Sequence, residues 1–574
     1  MKKIIQILIV LLISTTFSCT KNFTSLNTDP SRFTTTSPES VLTGVYLNTI
    51  NKLESNNIVF LWEYSHIVDP AGRYLGGDEG TWTTMYINVL GNIEQIKKLY
   101  QGNPAYTNRM AIADMWECYV FAYMVGTYGP IPYSNAFNTN LTVVNYDDEN
   151  TIYTSLLSRL KADAAAINVN GDKLTTDVIF NGNLTQWIKF ANTLRLRIAL
   201  RVQHNLPDLA ASNIQDVMSN ESMLPTSDAD DAKLTYGTAV GSQSVYYTSL
   251  VQGTSYSGTA TPVMSDYAFT YFRSYKDPRL GAYFQPSATP FNITDTLTSA
   301  NTTLHYIVSY PIPYLGTPKS PALLTQWGII NPPFSGASIP NNYSTMQPAL
   351  TAATRPFYIT TYAEVCFMKA EAALNGYGGT QTADQYYYAG INANFAFWGL
   401  TAAQATTYEA QNGIKWGTAG HGFNYDLGFI NTSIPAGNAT KIWIQEWLNY
   451  YDDGAFDAWA LQRRTQNLVL PPHTNPGNNP DVPNGIYSNL NDRWFYPVQS
   501  EVNRNPIGYA NGVKLLGAPG DYVYTPLKIE PAYTPIDWTK VNAFVDYSFV
   551  EKWYGTTIES LQAAGIKYTV LSTY

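Results

Sequence analysis

Charge is scarce in this chain. Charged residues make up 13% of its 574 positions, where about 25% is usual for a soluble domain. The formal net charge is −9, which excludes the basic footprint that nucleic acid requires. Cysteine is scarcer still, at three residues: Cys19, Cys118 and Cys366. The last two lie far apart in apolar, helical surroundings, so they are expected to be small buried hydrophobes and not a disulfide framework. No close Cys/His spacing offers the common zinc signatures. Catalytic motifs are also missing: there is no GxSxG, HExxH, GxGxxG or P-loop, and the histidines are scattered at His66, His204, His305, His421 and His473. Those gaps favour binding over catalysis. Beyond the N-terminus, no apolar run approaches the roughly 20 residues that span a bilayer.

The N-terminus itself is informative. Met1, Lys2 and Lys3 precede a nearly unbroken apolar run from Ile4 to Ile13, which closes at Ser14-Thr15-Thr16-Phe17-Ser18-Cys19. This pattern is a secretory signal. A cysteine after a small residue looks like a bacterial lipoprotein signal, with residues 1–18 removed and Cys19 acylated. An ordinary secretory signal that happens to end near a cysteine is the alternative. Several acyl chains would anchor the protein where a single chain would not. Residues 19–39 are then the lipidated cysteine and a flexible polar tether.

Aromatic residues reach 14%, led by 44 tyrosines. Tyr and Trp present flat apolar faces with one polar edge, suited to sugar rings and to large interfaces, although most are expected in the core. Helical periodicity recurs at about 40–54, 84–100, 107–127, 150–166, 184–204, 360–375, 383–397 and 437–463. The segments 107–127 with 150–166, and 360–375 with 383–397, have the dimensions of degenerate tetratricopeptide-like hairpins. Between about 220 and 355, Thr, Ser, Tyr, Pro and Gly scatter without a helical period, as loops and short strands do. The expected class is mainly α: one domain over 40–574, with a helical scaffold at about 40–220 and 356–510. A loop-rich, ligand-binding region at about 220–355 and an extended C-terminal tail at 511–574 complete it.

Several segments resemble those of the SusD/RagB family, in its order. They are Tyr128-Gly-Pro-Ile-Pro-Tyr133; the helix Trp187 to Arg201; Lys276-Asp-Pro-Arg-Leu280; Glu364 to Ala372; Tyr388-Ala-Gly-Ile391; Gln445-Glu-Trp447 with Ala458-Trp459 and Arg463-Arg-Thr465; and Arg493-Trp-Phe-Tyr-Pro497 with Glu501 and Asn505. Pro130 stands where that family usually has Asp, Asn135 where an acid is common, and the tail after Asn505 is longer. The resemblance implies a SusD-like helical fold with tetratricopeptide-like units, acting as an outer-membrane, surface-facing lipoprotein of Bacteroidota without enzymatic activity. It further implies a lid on a SusC-type TonB-dependent β-barrel transporter, receiving an oligosaccharide or, alternatively, a peptide.

Glu364 and Glu371 share a helix face with Phe367. A glycosidase would hold two acids about 5–10 Å apart across a cleft, usually on different elements. Buried acids paired to arginine are the stronger reading, with Arg197, Arg201, Arg279, Arg355 and Arg463 available. For the ligand, aromatics in loops beside donor groups are sought. Two regions qualify: the glycine-rich loop Asp69 to Trp82, with Arg73, Tyr74 and Trp82, and the irregular block with Tyr310, Tyr314 and Trp327. Asp228, Asp230 and Asp231 could offer oxygens to calcium but lack the remaining EF-hand spacing, so a turn is expected and no cofactor.

Overall fold

The computed structural model describes residues 37–574, apart from 70–76, 78, 254–261, 266–267, 270, 273–274, 317–342, 419–436, 467–472, 475–485, 488–491 and 532–556. The principal helices are α1 (Pro38–Asn56), α2 (Gly91–Tyr100), α3 (Thr107–Tyr128), α4 (Glu149–Ala166), α5 (Leu184–Arg201) and α6 (Pro207–Met218). After the irregular middle come α7 (Tyr362–Leu374), α8 (Ala383–Phe397), α9 (Asn438–Asn449), α10 (Ala455–Thr465), α11 (Pro506–Leu516) and α12 (Ile558–Ala563). No helix among the described residues is long and apolar enough to cross a membrane.

Local chemistry fixes the helix starts. Ser37 caps α1 by accepting from the Ser40 N–H, with Pro38 in the first turn. Asn183 accepts from the N–H groups of Thr185 and Gln186 at the head of α5. At α8, Thr382 and Gln385 form a reciprocal capping box. The two expected hairpins are present, α3 packing on α4 and α7 on α8, and α4 packs on α5 as well. The segment expected as one helix over 437–463 is two, because the turn Tyr450 to Gly454 separates α9 from α10. The helix α6 escaped the periodicity reading, although Pro207 in its first turn marks its start.

Among the described residues, nine strands are short accessories to this frame. They are β1 (Val68–Asp69), β2 (Ala232–Leu234), β3 (Val263–Met264), β4 (Phe291–Thr298), β5 (His305–Ile312), β6 (Phe357–Thr360), β7 (His473–Thr474), β8 (Ile486–Tyr487) and β9 (Thr569–Thr573). All named pairs are antiparallel: β1 with β3, β2 with β6, β7 with β8, and the sheet β4-β5-β9. The C-terminal segment contributes to the last of these. Its strand β9 pairs with β5, and Ile558 and Leu561 of α12 close a small separate core with Leu297, Val308 and Tyr310. A much larger apolar cluster joins residues from Leu42 to Ile529 through the helical frame. Cys118 and Cys366 are free and buried in it or beside it.

The segments that carry the family resemblance meet one another inside this frame. Arg279, fully buried, bonds Asp277 at 2.7 Å, Asn394 at 3.0 Å and Gln445 at 2.8 Å. Arg463 donates to the Gly126 carbonyl at 2.8 Å, Arg493 to that of Tyr128 at 3.0 Å, and the Tyr496 hydroxyl to that of Pro130 at 2.6 Å. Arg463 and Arg493 satisfy carbonyls in the last turn of α3, which a helix end leaves without partners, and Tyr496 fixes the chain just beyond it. They are staples of the scaffold.

Candidate functional site

The acid pair is scaffold as well. Glu364 accepts from Arg197 Nε at 2.6 Å and Nη2 at 2.7 Å, and from the Tyr450 hydroxyl at 3.0 Å. Glu371 is gripped by Arg464, at 2.7 Å to each oxygen. Both acids are buried, at 2% exposure. Neither can reach a substrate, so the arginine-paired reading holds. Arg464 is not among the arginines that the sequence offers as partners; its position beside Arg463 in the last turn of α10 is the available signal.

Around these pairs lie three narrow internal cavities lined by Arg197, Arg201, Tyr450, Asp453 and Asp457 among others, of about 30, 30 and 20 Å3. Each has room for about one or two water molecules. A pocket for a small ligand is on the order of 300–1,000 Å3, so a nutrient does not fit here. The polar lining is what a hydrated seam between helices needs. A more open depression of about 360 Å3 lies over Val169, Lys173 and Asn181 to Thr185. It has no aromatic side chain in its wall and offers no stacking surface to a sugar.

The residues expected to hold a ligand have different fates. Trp82 is 3% exposed, and its indole N–H donates to Glu501 at 3.1 Å. Tyr86, Tyr128, Tyr146 and Tyr496 surround its ring at centroid distances of 4.8–6.3 Å. That packing leaves no ring face for a sugar, and it corrects the expectation that Trp82, at the end of the glycine-rich loop, contacts the ligand. Tyr310 is 1% exposed and belongs to the small core beneath β9. Tyr314 is half-buried, and burial raises its phenol pKa. Arg73, Tyr74 and Trp327 lie outside the described residues, as does Cys19.

The stems of the two candidate regions nevertheless meet. Val68 pairs with Met264 and Asp69 with Val263, so the chain entering 70–76 runs beside the chain leaving 254–261. Val263 also bridges to Thr345, and the Met264 N–H donates to the Ser344 carbonyl at 2.7 Å. Ser344 in turn donates its N–H to the Leu315 carbonyl at 2.9 Å, next to Tyr314. The segments containing Arg73 and Tyr74, and Trp327, thus spring from one small platform, with Tyr314 at its margin. Gly77 is required on the return: a Cβ there would meet the Trp494 ring at 2.2 Å. The third stem, around 262–265, was not distinguished within the irregular middle.

The acids near residue 230 are engaged within the protein. Asp230 takes the Lys189 ammonium at 2.7 Å, and Asp231 accepts from the Tyr362 N–H at 2.7 Å. Burial pushes the Asp231 carboxyl up to about 8. These contacts make the segment a docked turn.

No curated protein sequence matches the chain. Solved structures resemble it over most of its length. A chitin-binding SusD homologue from Flavobacterium johnsoniae is 22% identical, with 86% of this chain and 99% of that one covered at a TM-score of 0.66. A SusD homologue from Bacteroides vulgatus is 22% identical over 87% of this chain and 98% of its own, at 0.66. Another from Parabacteroides distasonis is 20% identical over 86% and 97%, at 0.68. At such identities they show a shared fold. A SusD-like family model, described as starch-binding and associating with the outer membrane, matches residues 30–487. The chain belongs to this SusD-like family, a family of binding proteins and not of enzymes.

Proposed function

We propose that the protein is a lipid-anchored receptor of the outer membrane, carried on the acylated Cys19, that binds a glycan and passes it to a SusC-type TonB-dependent transporter. The observation that carries the glycan reading is the shared platform of Val68, Met264, Leu315 and Ser344, from which the segments bearing Arg73, Tyr74 and Trp327 arise beside Tyr314. A rigid root under several loops is how a scaffold positions a binding surface. Family membership supports association with the outer membrane, and the chitin-binding relative supports a carbohydrate cargo.

Sugar rings offer apolar faces for Trp327 and the tyrosines, and hydroxyl groups for the Arg73 guanidinium. Binding by stacking and hydrogen bonds changes no covalent bond. The experiment is titration of the mature protein with chitin, starch and plant-glycan oligosaccharides and with peptides, alongside Arg73→Ala and Trp327→Ala. Glycan affinity that falls in both variants supports the reading. Peptide affinity without glycan affinity overturns it. For the partner, pull-down from solubilised outer membrane is expected to bring down a large β-barrel, and its absence contradicts the transporter assignment.

A further inference from the structure

A second knot of charged groups, apart from the arginine-paired seam, lies between α2, α3 and α4. Lys97 of α2 pairs with Glu94 at 3.3 Å and with Asp114 and Glu117 of α3 at 2.7 Å each. Arg159 of α4 reaches Asp114 at 2.6 Å and also pairs with Glu117. Asp163, one turn beyond Arg159, is left over. Among the described residues no cation pairs with it, and its Oδ2 is buried and accepts no hydrogen bond. Glu94, Asp114, Glu117 and Asp163 thus face only Lys97 and Arg159, four acids against two cations. A partly buried cluster with that imbalance lacks two positive charges.

The leftover acid has company. Asp114 and Cys118 share a face of α3, a turn apart, and α4 brings Asp163 against that face. One oxygen of Asp114, one of Asp163 and the Cys118 Sγ all lie within 4.8 Å of one another. Cys118 is fully buried, and its thiol makes no hydrogen bond to any described residue. Two carboxylates this close coexist around a shared cation, either a proton or a metal ion. The thiol decides between them: it adds nothing to a shared proton, whereas sulfur together with carboxylate oxygen is a donor set for zinc.

We propose that Asp114, Cys118 and Asp163 form a zinc site that clamps α3 to α4, with water in the fourth position. Ligand atoms around tetrahedral zinc stand about 3.5 Å apart. The two carboxylates are partly exposed, so they close that gap by rotation, and the ion enters from their side with the thiol as the floor. Asp114 Oδ2 accepts from Arg159 Nε at 3.0 Å and keeps a second lone pair for the ion. Coordination releases the thiol proton to solvent, and the doubly positive ion offsets the excess of acids. The site stands independently of the glycan reading.

The test titrates the mature protein, stripped of metal by a chelator, with Zn2+ by calorimetry and with Co2+ by absorption spectroscopy. Wild type is expected to take up zinc saturably, a single ion per chain, and to show a sulfur-to-cobalt charge-transfer band in the near ultraviolet. Cys118→Ser is expected to abolish that band, and Cys366→Ser, at the other buried free cysteine, to keep it. Asp163→Asn is expected to weaken zinc binding by about tenfold or more. Zinc held by the folded state alone also raises the denaturation midpoint of the wild type, a readout that needs no variant and covers the case in which Cys118→Ser fails to fold. No zinc uptake, an unmoved wild-type midpoint, a band that survives in Cys118→Ser, or undiminished affinity in Asp163→Asn overturns the site and leaves a proton as the cation the acids share.

Discussion

Arg197 on α5 grips both carboxylate oxygens of Glu364 on α7, at 2.6 and 2.7 Å, across 167 positions of sequence. The same guanidinium reaches Asp457 of α10 at 3.3 Å, so one side chain ties three helices. Two features that would suggest chemistry in isolation, an acid pair and a run of arginines, are spent on each other.

Breaking that tie destabilises the fold without touching cargo. Glu364→Ala leaves a buried guanidinium with half its partners, and about 3–5 kcal/mol of stability is expected to go. Urea denaturation checks the loss. Glycan affinity of the folded fraction, measured below the transition, is expected to stay within twofold of wild type.

Trp82→Ala is expected to behave as a core truncation. Removing a ring enclosed by Tyr86, Tyr128, Tyr146 and Tyr496 also takes the indole donor from Glu501 Oε1, while Oε2 keeps Tyr146 and Asn505. The expected cost is about 3–5 kcal/mol, read from the denaturation midpoint, with glycan affinity of the folded protein unchanged. An unchanged midpoint with lost affinity would instead place Trp82 at the ligand.

Tyr314→Ala is expected to show the opposite split. The residue is half-buried at the edge of the loop platform. Loss of one stacking face weakens binding by about 0.5–1.5 kcal/mol, roughly two- to tenfold. Calorimetric titration reads it, and the midpoint is expected to move little.

Stability is expected to rise as pH falls from 8 towards 5 where buried acids dominate. Burial pushes Glu54 up to about 7, opposed by hydrogen bonds from the Val245 N–H, Ser244 and Tyr236, and by Arg355. It also pushes Glu149 up to about 7. A carboxyl whose folded pKa lies above its unfolded value near 4.5 contributes stability that is complete below 4.5 and lost as pH rises through 7. For Glu54 this amounts to on the order of 3 kcal/mol. Denaturation midpoints at pH 5 and 8 check it, and Glu54→Gln is expected to flatten the difference. A wild-type advantage over Glu54→Gln that grows towards pH 8 contradicts the assignment.

The helical frame was legible because apolar spacing at 3.6 residues survives without tertiary knowledge: α3, α4, α5, α7 and α8 stand where that spacing places them. The break between α9 and α10 was not, because the apolar spacing resumes at Phe456 and Trp459 and masks the turn signal Asp452-Asp453-Gly454 between them. Strand β4, Phe291-Asn-Ile-Thr-Asp-Thr-Leu-Thr298, does alternate with period two, but its pairing reaches to β5 and beyond it to β9 at the C-terminus. The burial of Trp82 depends on Glu501, 419 positions away. A glycine-rich local sequence says surface, and only the distant acid says core. The platform of the candidate site escaped for a related reason: Val68, Met264 and Ser344 carry no chemistry of their own and matter by adjacency alone.

The central claim is that this protein holds a glycan without altering it. The measurement that tests it most directly is titration of purified mature protein with an oligosaccharide panel, followed by mass spectrometry of the recovered sugars. The account predicts saturable binding of at least one glycan, with every recovered chain at its starting mass. Shortened sugars, or no binding across the panel, would contradict it.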